Sequence, residues 1–356
     1  MKNLVLLTTS LFTLSASLSF GLGTDSTWIS TSDQTWGNTA NWSPAVTPST
    51  TIGAIFQDSA TVQHTINLSG LNPITVGMQF SSFAGGSGFV FNNAGFLQLR
   101  SGGSVSGIVN NDDSVQTFNI AITMSSINGG AGNAASMTFN AAAGPLVFTG
   151  GTISNNGGRL TNSGAFNITI GTTGGGILTG TGGLVKNGAG TLTLGGTSAN
   201  TYSGSTIVNQ GSIIAAKASA FGTSASALTL NGGTVNSGGF NQTSGTLTLS
   251  ADSTLDLGAG TSAWTFADSS AISWAGTLHI LDWTQGSDSI RAGTGPNSLT
   301  FSQLGEISWD DLPGISQTLI DSNGFLVPIP EPSTVALSLL GGFGLAVTII
   351  NRRRKA

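Results

Sequence analysis

An all-β fold, and within that class a right-handed parallel β-helix (β-solenoid) with a small terminal β module, is predicted by composition and by residue alternation. The 356 residues include Gly 53 but only 7% charged side chains, whereas globular chains average about 7% Gly and about 25% charged residues. Each Gly inside a helix or strand costs roughly 0.5–1 kcal/mol relative to Ala. Most of these glycines are therefore expected in turns, and a chain with so many turns has many short strands.

Between the glycine-rich turns, apolar and polar residues alternate over four to six positions, which is typical of half-buried strands. The clearest examples are residues 191–194, 227–230, 246–249, 254–257 and 277–280. Such strands bury a face when they stack into a continuous coil. At about 20–25 residues per coil, we expect roughly 12–15 coils, fewer if the ends are separate modules. An array of β-sandwiches is the alternative.

Composition also excludes several classes of protein. A mean hydropathy of +0.22 excludes a charge-rich disordered chain, and Cys 0 removes disulfides, thiolate zinc sites and cysteine nucleophiles. Residues 24–329 carry fourteen acidic and five basic side chains. Because this balance is acidic, we expect no binding of nucleic acid.

The N-terminus predicts a cleavable signal peptide over residues 1–23. Lys2 supplies a positive charge, residues 4–20 carry none, and the small residues Gly21 and Gly23 follow as a cleavage region. A first buried helix is the alternative. We therefore expect the chain to pass through the secretion translocon.

Tryptophan is confined to the two ends of the region 24–329. Trp28, Trp36 and Trp42 lie near its start, and four more lie near its end at positions 264, 274, 283 and 309. We expect the bulky rings to cap the exposed edges of the solenoid, with a row of sugar-stacking platforms as the alternative. The domains predicted on this basis are an N-terminal β cap segment over 24–84, a β-helix over 85–260 and a C-terminal β module over 261–329, which ends in a strand pair over 315–327.

One stretch of the β-helix carries a more specific pattern. Its core consists of Gly183, Leu184, Lys186, Gly188, Gly190, Thr191, Leu192 and Leu194, and its turn of Asn200, Thr201, Tyr202 and Gly204. Over residues 180–214 this pattern resembles the autotransporter-associated β-strand repeat, a single-coil motif of β-helical passenger domains. Only one clean copy is found, and Ile213 and Ile214 replace the usual closing Leu. Where the family has an outer-membrane barrel, this chain has a single uncharged stretch over residues 332–351. The resemblance therefore implies a β-helix and does not support autotransport.

Within this repeat, the alternation predicts that the leucines point into the coil. Gly188, Gly190 and Gly204 are expected at sharp corners. Lys186 is expected to be exposed or to cap a corner. We expect Tyr202 to cover a turn while its hydroxyl stays hydrated.

The search for catalytic or metal-binding groups predicts none, and no cofactor. The two histidines, His64 and His279, are far apart and lack metal-ligand spacing. Adjacent carboxylates at 112–113 and 310–311 are expected in turns or on opposite faces of a strand. Asp252 and Asp256 share a face only if their segment is an unbroken strand.

The C-terminus predicts a membrane helix. Twenty uncharged residues separate Glu331 from Arg352. As a helix they span about 30 Å, the thickness of the hydrocarbon core of a bilayer. We place the transmembrane helix at 333–350, with the chain before it outside the cytoplasm because basic residues follow it.

Pro330-Glu331-Pro332, this apolar stretch and a terminal basic cluster follow one another in a fixed order over residues 330–356. The cluster consists of Arg352, Arg353, Arg354 and Lys355. The series resembles the PEP-CTERM sorting signal. That resemblance implies an inner-membrane intermediate whose tail is removed by an exosortase-type membrane peptidase, in bacteria that make extracellular polysaccharide. A permanent single-pass anchor is the alternative.

Together these observations favour an exported, non-enzymatic structural or adhesive β-helix protein of the cell surface or extracellular matrix, with extracellular polysaccharide as a further partner. Two alternatives belong to other classes. One is a secreted polysaccharide-cleaving β-helix enzyme that uses Asp residues, and the other is a non-catalytic carbohydrate-binding protein.

Overall fold

The computed structural model describes residues 25–331, apart from 31, 33, 58–63, 69, 82–86, 93–94, 102–106, 127–135, 173–174 and 176. The predicted signal peptide and the predicted membrane helix lie outside the described residues. No helix in the described part is long and apolar enough to cross a membrane.

The described residues are almost entirely strand and turn. In the first half the strands are β1 (Ser26–Trp28), β2 (Trp42–Ser43), β3 (Ala54–Gln57), β4 (His64–Asn67), β5 (Ile74–Thr75), β6 (Gly77–Ser81), β7 (Phe89–Asn92), β8 (Phe96–Ser101), β9 (Gly107–Asn111), β10 (Gln116–Phe118), β11 (Ala121–Ser126), β12 (Met137–Ala141), β13 (Leu146–Phe148), β14 (Thr152–Ser154), β15 (Leu160–Gly164), β16 (Ile168–Ile170) and β17 (Ile177–Thr179). In the second half they are β18 (Leu184–Lys186), β19 (Thr191–Leu194), β20 (Thr206–Val208), β21 (Ser212–Ala215), β22 (Leu228–Asn231), β23 (Thr234–Asn236), β24 (Gln242–Thr243), β25 (Leu247–Ala251), β26 (Ser253–Asp256), β27 (Ala263–Phe266), β28 (Leu278–Leu281), β29 (Ser289–Ala292), β30 (Ile307–Trp309), β31 (Ile315–Ile320) and β32 (Leu326–Pro330). One 3₁₀ turn, Thr39–Asn41, and one short helix, α1 (Phe301–Gly305), complete the description.

The strands form a parallel β-solenoid of the right-handed type with about ten turns. Two eleven-stranded sheets form its main faces, and a five-stranded sheet forms a third face along the first half. Among the described strand pairs only β1–β2 and β31–β32 are antiparallel. The predicted all-β solenoid is thus confirmed, and the sandwich alternative is wrong because neighbouring strands pair in parallel from one turn to the next.

The solenoid has fewer turns than the 12–15 expected, because some turns are long. Met78 pairs with Ile108, and Phe118 pairs with Phe148, about 30 residues further along the chain. Later turns are shorter, as in the pairing of Leu228 with Leu247. These two longer turns contribute strands β8 and β11 to the five-stranded third sheet.

Inward-facing side chains stack into continuous apolar columns. In the first half the stack is aromatic, with Phe91, Phe118 and Phe148 at ring-centroid distances of 4.8 and 4.9 Å. In the second half Leu, Ile and Val fill the same interior and are almost fully buried. The alternation seen in the sequence therefore corresponds to one continuous core rather than to separate domain cores.

Tryptophan closes the N-terminal edge. Trp42 packs edge-to-face on Trp28 and Trp36 at 5.1 and 5.0 Å, and its indole N–H donates to the carbonyl of Trp36 at 2.9 Å. Strand β2 runs antiparallel to β1 there and covers the open edge of the sheet. Six of the seven tryptophans are at most 9% exposed, and Trp283 is half-buried. The six buried rings face the interior, so they are not available to stack on sugar rings.

The parallel pairing does not stop at residue 260. Strands β26, β28 and β30 continue one sheet, and β24, β27 and β29 form a further parallel face. The described part that departs from the solenoid is smaller than the module predicted over 261–329. It consists of α1 and the antiparallel pair β31–β32, where a strand pair was expected.

Candidate functional site

The repeat motif occupies one turn of the solenoid, from the start of β18 to β20. Leu184, Leu192 and Leu194 are fully buried, as the alternation predicts. Thr191 faces outward and is half-buried. Its backbone N–H is held by the side-chain oxygen of Asn167 on the preceding turn at 3.2 Å.

The motif's glycines serve two different purposes. Gly188 has a φ of +76°, a conformation that side chains disfavour, and so it turns a corner as expected. Gly190 and Gly204 also lie in bends between strands, as expected, but neither has a positive φ. A Cβ at Gly190 would lie 2.1 Å from the carbonyl oxygen of Phe166, and one at Gly204 would lie 2.5 Å from a backbone carbon of Gly182. These two glycines are needed because adjacent turns approach too closely for any side chain.

Lys186 caps a corner from the inside. Only 3% of the residue is exposed, so the expectation of an exposed lysine is wrong and that of a corner cap holds. Its ammonium donates to the carbonyls of Asn187 at 2.9 Å, Gly188 at 2.6 Å and Gln210 at 3.4 Å. Burial lowers its pKa to about 8, because the charged form loses hydration.

A second polar residue lies next to Lys186 in the same inward column. The register places Phe139, Asn162, Lys186 and Val208 on successive turns. Asn162 is fully buried, and both side-chain polar atoms lack a hydrogen-bond partner among the described residues. This amide therefore interrupts the apolar core without hydrogen bonds like those that Lys186 makes to backbone carbonyls.

Tyr202 also differs from its expected role. It is fully buried, and its hydroxyl lies 2.6 Å from the Thr206 hydroxyl rather than in water. Burial raises its pKa above the ordinary value of 10.0. Its carbonyl accepts from the Thr223 N–H at 3.0 Å and the Ser226 hydroxyl at 2.9 Å on the next turn. The ring is a core element that fixes the turn from inside.

Asn200 links three successive turns. Its side-chain oxygen accepts from the N–H of Leu178 at 3.0 Å, and its amide donates to the carbonyl of Ala220 at 2.6 Å. Thr201, beside it, is exposed, and its backbone N–H also bonds to the carbonyl of Leu178. The amide therefore holds the stack together at this corner.

Two residues of this network were not predicted from the sequence. Lys217 donates to the side-chain oxygen of Asn200 at 2.9 Å, and burial lowers its pKa to about 8. Gln242 donates to the carbonyl of Lys217 and accepts from the N–H of Ala220, both at 2.9 Å. Neither belongs to the repeat motif. The usable signal is spacing, since Gln242 lies 22 residues, one turn, beyond Ala220.

A partly exposed ladder of asparagine side chains runs across successive turns. Asn209 donates to the side-chain oxygen of Asn187 at 2.7 Å, and Asn231 donates to that of Asn209 at 3.1 Å. The steps are 22 residues, so each rung belongs to the next turn. Stacked amides of this kind stabilise successive parallel strands.

The predicted sorting signal lies partly within the described residues. Pro330 ends β32 and pairs with Ile315, and the N–H of Glu331 donates to the carbonyl of Gly314 at 2.6 Å. Both Pro330 and Glu331 are exposed. Pro332 and the basic cluster at 352–355 lie outside the described residues. The chain thus leaves the folded body directly from its last strand.

The candidate carboxylates do not converge on a reaction centre. Asp252 lies in the corner between β25 and β26 and accepts from the Thr277 N–H at 2.7 Å. It is therefore not on an unbroken strand with Asp256, so the condition for a shared face is not met. The charge of Asp256 raises the pKa of Asp282, with burial as a smaller cause. In the described part of the chain, no group of three or more His, Cys, Asp or Glu residues could hold a metal ion.

Both histidines occupy strand positions. The His64 ring stacks on Phe89 at 5.4 Å. Nδ1 of His279 lies 2.9 Å from a carboxylate oxygen of Asp310. Each histidine is paired with a neighbouring turn, an arrangement typical of a structural surface residue.

Comparison with known proteins gives one family match. The passenger-associated-transport-repeat family matches residues 184–215, which covers nearly all of the motif identified over 180–214. No curated protein and no solved structure matches the chain. This one turn is similar to a passenger-type repeat, and together with the β-solenoid it fits an exported or cell-surface passenger-like β-helix protein.

Proposed function

We propose that this chain is an exported, non-enzymatic β-solenoid that serves as a structural or adhesive scaffold at the cell surface or in the extracellular matrix. A signal peptide over 1–23 directs it through the translocon. A PEP-CTERM signal over 330–356 holds it in the inner membrane until an exosortase-type peptidase removes the tail.

The position of the chain's exit carries this proposal. The solenoid stays paired from β1 to β30, and the last hairpin brings Pro330 and Glu331 to the surface. A peptidase at the membrane therefore has access to the junction without unfolding the body. The acidic Glu331 lies at the start of the uncharged tail, where the PEP-CTERM resemblance places it.

The hydrogen bonds of the buried and corner polar groups support a non-enzymatic role. Asp112 is buried and accepts from the Ser114 N–H at 2.6 Å, Asp252 holds a corner, and Lys186 and Asn200 bind backbone carbonyls. These groups join turns to one another. We propose that contact with a neutral extracellular polysaccharide uses outward amides such as Asn209 rather than tryptophan.

Intact mass of the protein recovered from washed cells and from the medium tests the sorting proposal. The expected product has lost about residues 1–23 and everything after about residue 332. Changing all four residues 352–355 to Ala should leave unprocessed protein, because the basic cluster holds the helix in the membrane. Changing the exposed Arg159 to Ala is the control and should be processed normally.

A full C-terminus found only in membranes would contradict the sorting proposal and make the tail a permanent anchor. The non-enzymatic proposal has its own test. The secreted protein is incubated with neutral and acidic polysaccharides, and no new reducing ends should appear. Cleavage that a single Asp→Asn substitution abolishes would overturn that part.

A further inference from the structure

A groove of about 410 Å³ lies at the C-terminal end of the solenoid, between α1, β30 and β31. Phe301, Leu304, Trp309, Ile315 and Leu319 supply its apolar lining. The groove size is within the range of ordinary ligand pockets. It is large enough for a few apolar side chains and too small for a whole helix.

The lining of this groove is unusually exposed for an apolar surface. Phe301 is 91% exposed and Leu319 is 49% exposed. Trp309, in contrast, is 5% exposed and bonds through its indole N–H to the Thr318 hydroxyl at 2.9 Å. Strand β30 pairs only with β28 among the described strands, so its other edge faces the groove. Polar residues such as Ser316 and Gln317 also line the groove. A groove that offers apolar side chains beside an open strand edge fits an extended segment with apolar side chains on one face.

We propose that residues 335–339 of this same chain occupy the groove whenever the C-terminal apolar stretch is not in a bilayer. These residues read Val-Ala-Leu-Ser-Leu. Their period-two alternation places Val335, Leu337 and Leu339 on one face of an extended segment.

The position of the last described residues supports this occupant. The N–H of Glu331 bonds to the carbonyl of Gly314, directly before the groove residue Ile315. Three residues separate Glu331 from Val335, and an extended chain covers at most about 3.3–3.6 Å per residue. The segment therefore reaches the groove from its mouth. The occupancy does not depend on a sorting peptidase, so it can hold even if the tail is a permanent anchor.

The biological consequence is a sheltered tail. An uncharged, largely apolar stretch of twenty residues invites aggregation before it enters a membrane. Seating its first apolar residues on the solenoid covers Phe301 and Leu319 as well. The groove acts as an internal holding site that the bilayer replaces.

Disulfide trapping in the full chain tests this proposal, because the protein has no cysteine of its own. Phe301→Cys is combined with Leu337→Cys, and the protein is oxidised after dilution from detergent into lipid-free buffer. A disulfide requires Cα atoms about 4.4–6.8 Å apart. We expect an intramolecular crosslink, seen as a mass loss of two hydrogens and a linked peptide pair. The control joins Leu337→Cys to Phe166→Cys, at a site that is 43% exposed and not part of the groove, and should give no crosslink.

A matched pair of substitutions tests the groove itself. Leu319 lines it, whereas Val327, its cross-strand partner, is 37% exposed and does not. In the Phe301→Cys, Leu337→Cys protein, Leu319→Asp should lower the yield about fivefold or more, because a carboxylate is costly to bury against apolar groups. Val327→Asp should leave the yield unchanged.

Three results would overturn the proposal. Equal crosslinking at position 166 would mean that the tail is unlocalised. A purely dimeric product would assign the groove to a second copy of the chain. The third result is that no crosslink forms and that the thiol introduced at position 301 is protected from a thiol reagent only when phospholipid vesicles are added. That result would assign the groove to the membrane surface.

Discussion

The ammonium of Lys217 donates to the side-chain oxygen of Asn200 at 2.9 Å, across 17 residues of chain. The same oxygen holds the N–H of Leu178 on the preceding turn. A motif residue and a residue outside the motif thus form one buried junction between three turns. Stability in this region depends on inter-turn polar contacts as well as on the apolar columns.

Replacing Asn200 by Ala is expected to destabilise the protein by at least about 3 kcal/mol. The change leaves Lys217, the Leu178 N–H and the Ala220 carbonyl buried without their partner, and such orphaned groups cost about 1–3 kcal/mol each. Denaturant unfolding measures the loss. Thr201→Ala is the control, because the Thr201 side chain is exposed, and should change the free energy of unfolding by less than about 0.5 kcal/mol. Equal effects would contradict the bridging role.

Stability is expected to rise between pH 8 and pH 10. The pKa of Lys186 and of Lys217 is about 8 in the folded protein and near 10.5 when unfolded. In this window the unfolded chain binds more protons, so the free energy of unfolding increases with pH. Over this pH window we expect a rise of about 1–2 kcal/mol for each lysine.

Lys186→Met should remove about half of this rise, since Lys217 supplies the other half. Thermal unfolding at pH 7, 8, 9 and 10 measures the dependence. A variant whose slope matches that of the unsubstituted protein would show that Lys186 remains charged throughout.

Tyr202 is expected to ionise only when the protein unfolds. Burial raises its pKa above 10.0, so the folded state retains a proton that the unfolded state loses, and stability falls as pH rises past about 10. Because Tyr202 is the sole tyrosine, phenolate absorbance reports on it alone. It should appear together with the loss of β-sheet circular dichroism. Phenolate formation near pH 10 in the folded protein would mean that the hydroxyl is in contact with water.

Asn162→Leu is expected to stabilise the protein by about 1–2 kcal/mol. The substitution replaces an unpartnered buried amide with an apolar group of similar size. Asn155→Leu is the matched control, because the side-chain oxygen of Asn155 accepts from the Gly182 N–H at 2.9 Å. It should destabilise the protein instead. Urea midpoints distinguish the two, and a loss of stability in both variants would indicate that Asn162 is satisfied by water.

Gly190→Ala should lower stability by about 1–3 kcal/mol, because the new Cβ would meet the Phe166 carbonyl and push two turns apart. Gly305→Ala is the control, since nothing lies within 4 Å of its Cβ position. It should be neutral or slightly stabilising. Thermal midpoints compare the two proteins. If Gly190→Ala were tolerated, the close approach of the turns would not be essential.

Much of the architecture could be predicted from local patterns. Alternation in segments such as 191–194 defined strands, and the abundance of Gly defined corners, so the solenoid followed from stacking. The same reasoning identified the turn that matches the passenger-type repeat, and it placed tryptophan at the ends. These features depend on residue periodicity, which a single sequence displays directly.

The remaining features depend on which residues from different turns meet. The partner of Asn200 is Lys217, and nothing in a one-turn motif specifies it. The sequence predicts that Tyr202 covers a turn with its hydroxyl in water, but Thr206 supplies an internal partner. Gly190 lies in a bend, as the pattern predicts, but the spacing between turns explains why only glycine fits there.

The last hairpin has a mechanical consequence. Pro330 and Ile315 form the terminal rung of β31–β32, and the chain beyond Glu331 leaves from that end. Tension applied through the tail therefore acts on one pair of residues of the hairpin at a time, and the hairpin opens stepwise from that end. The turns behind it share the load across whole faces and resist longer. We therefore expect a pull on this end to open the short hairpin β31–β32 while the solenoid stays folded.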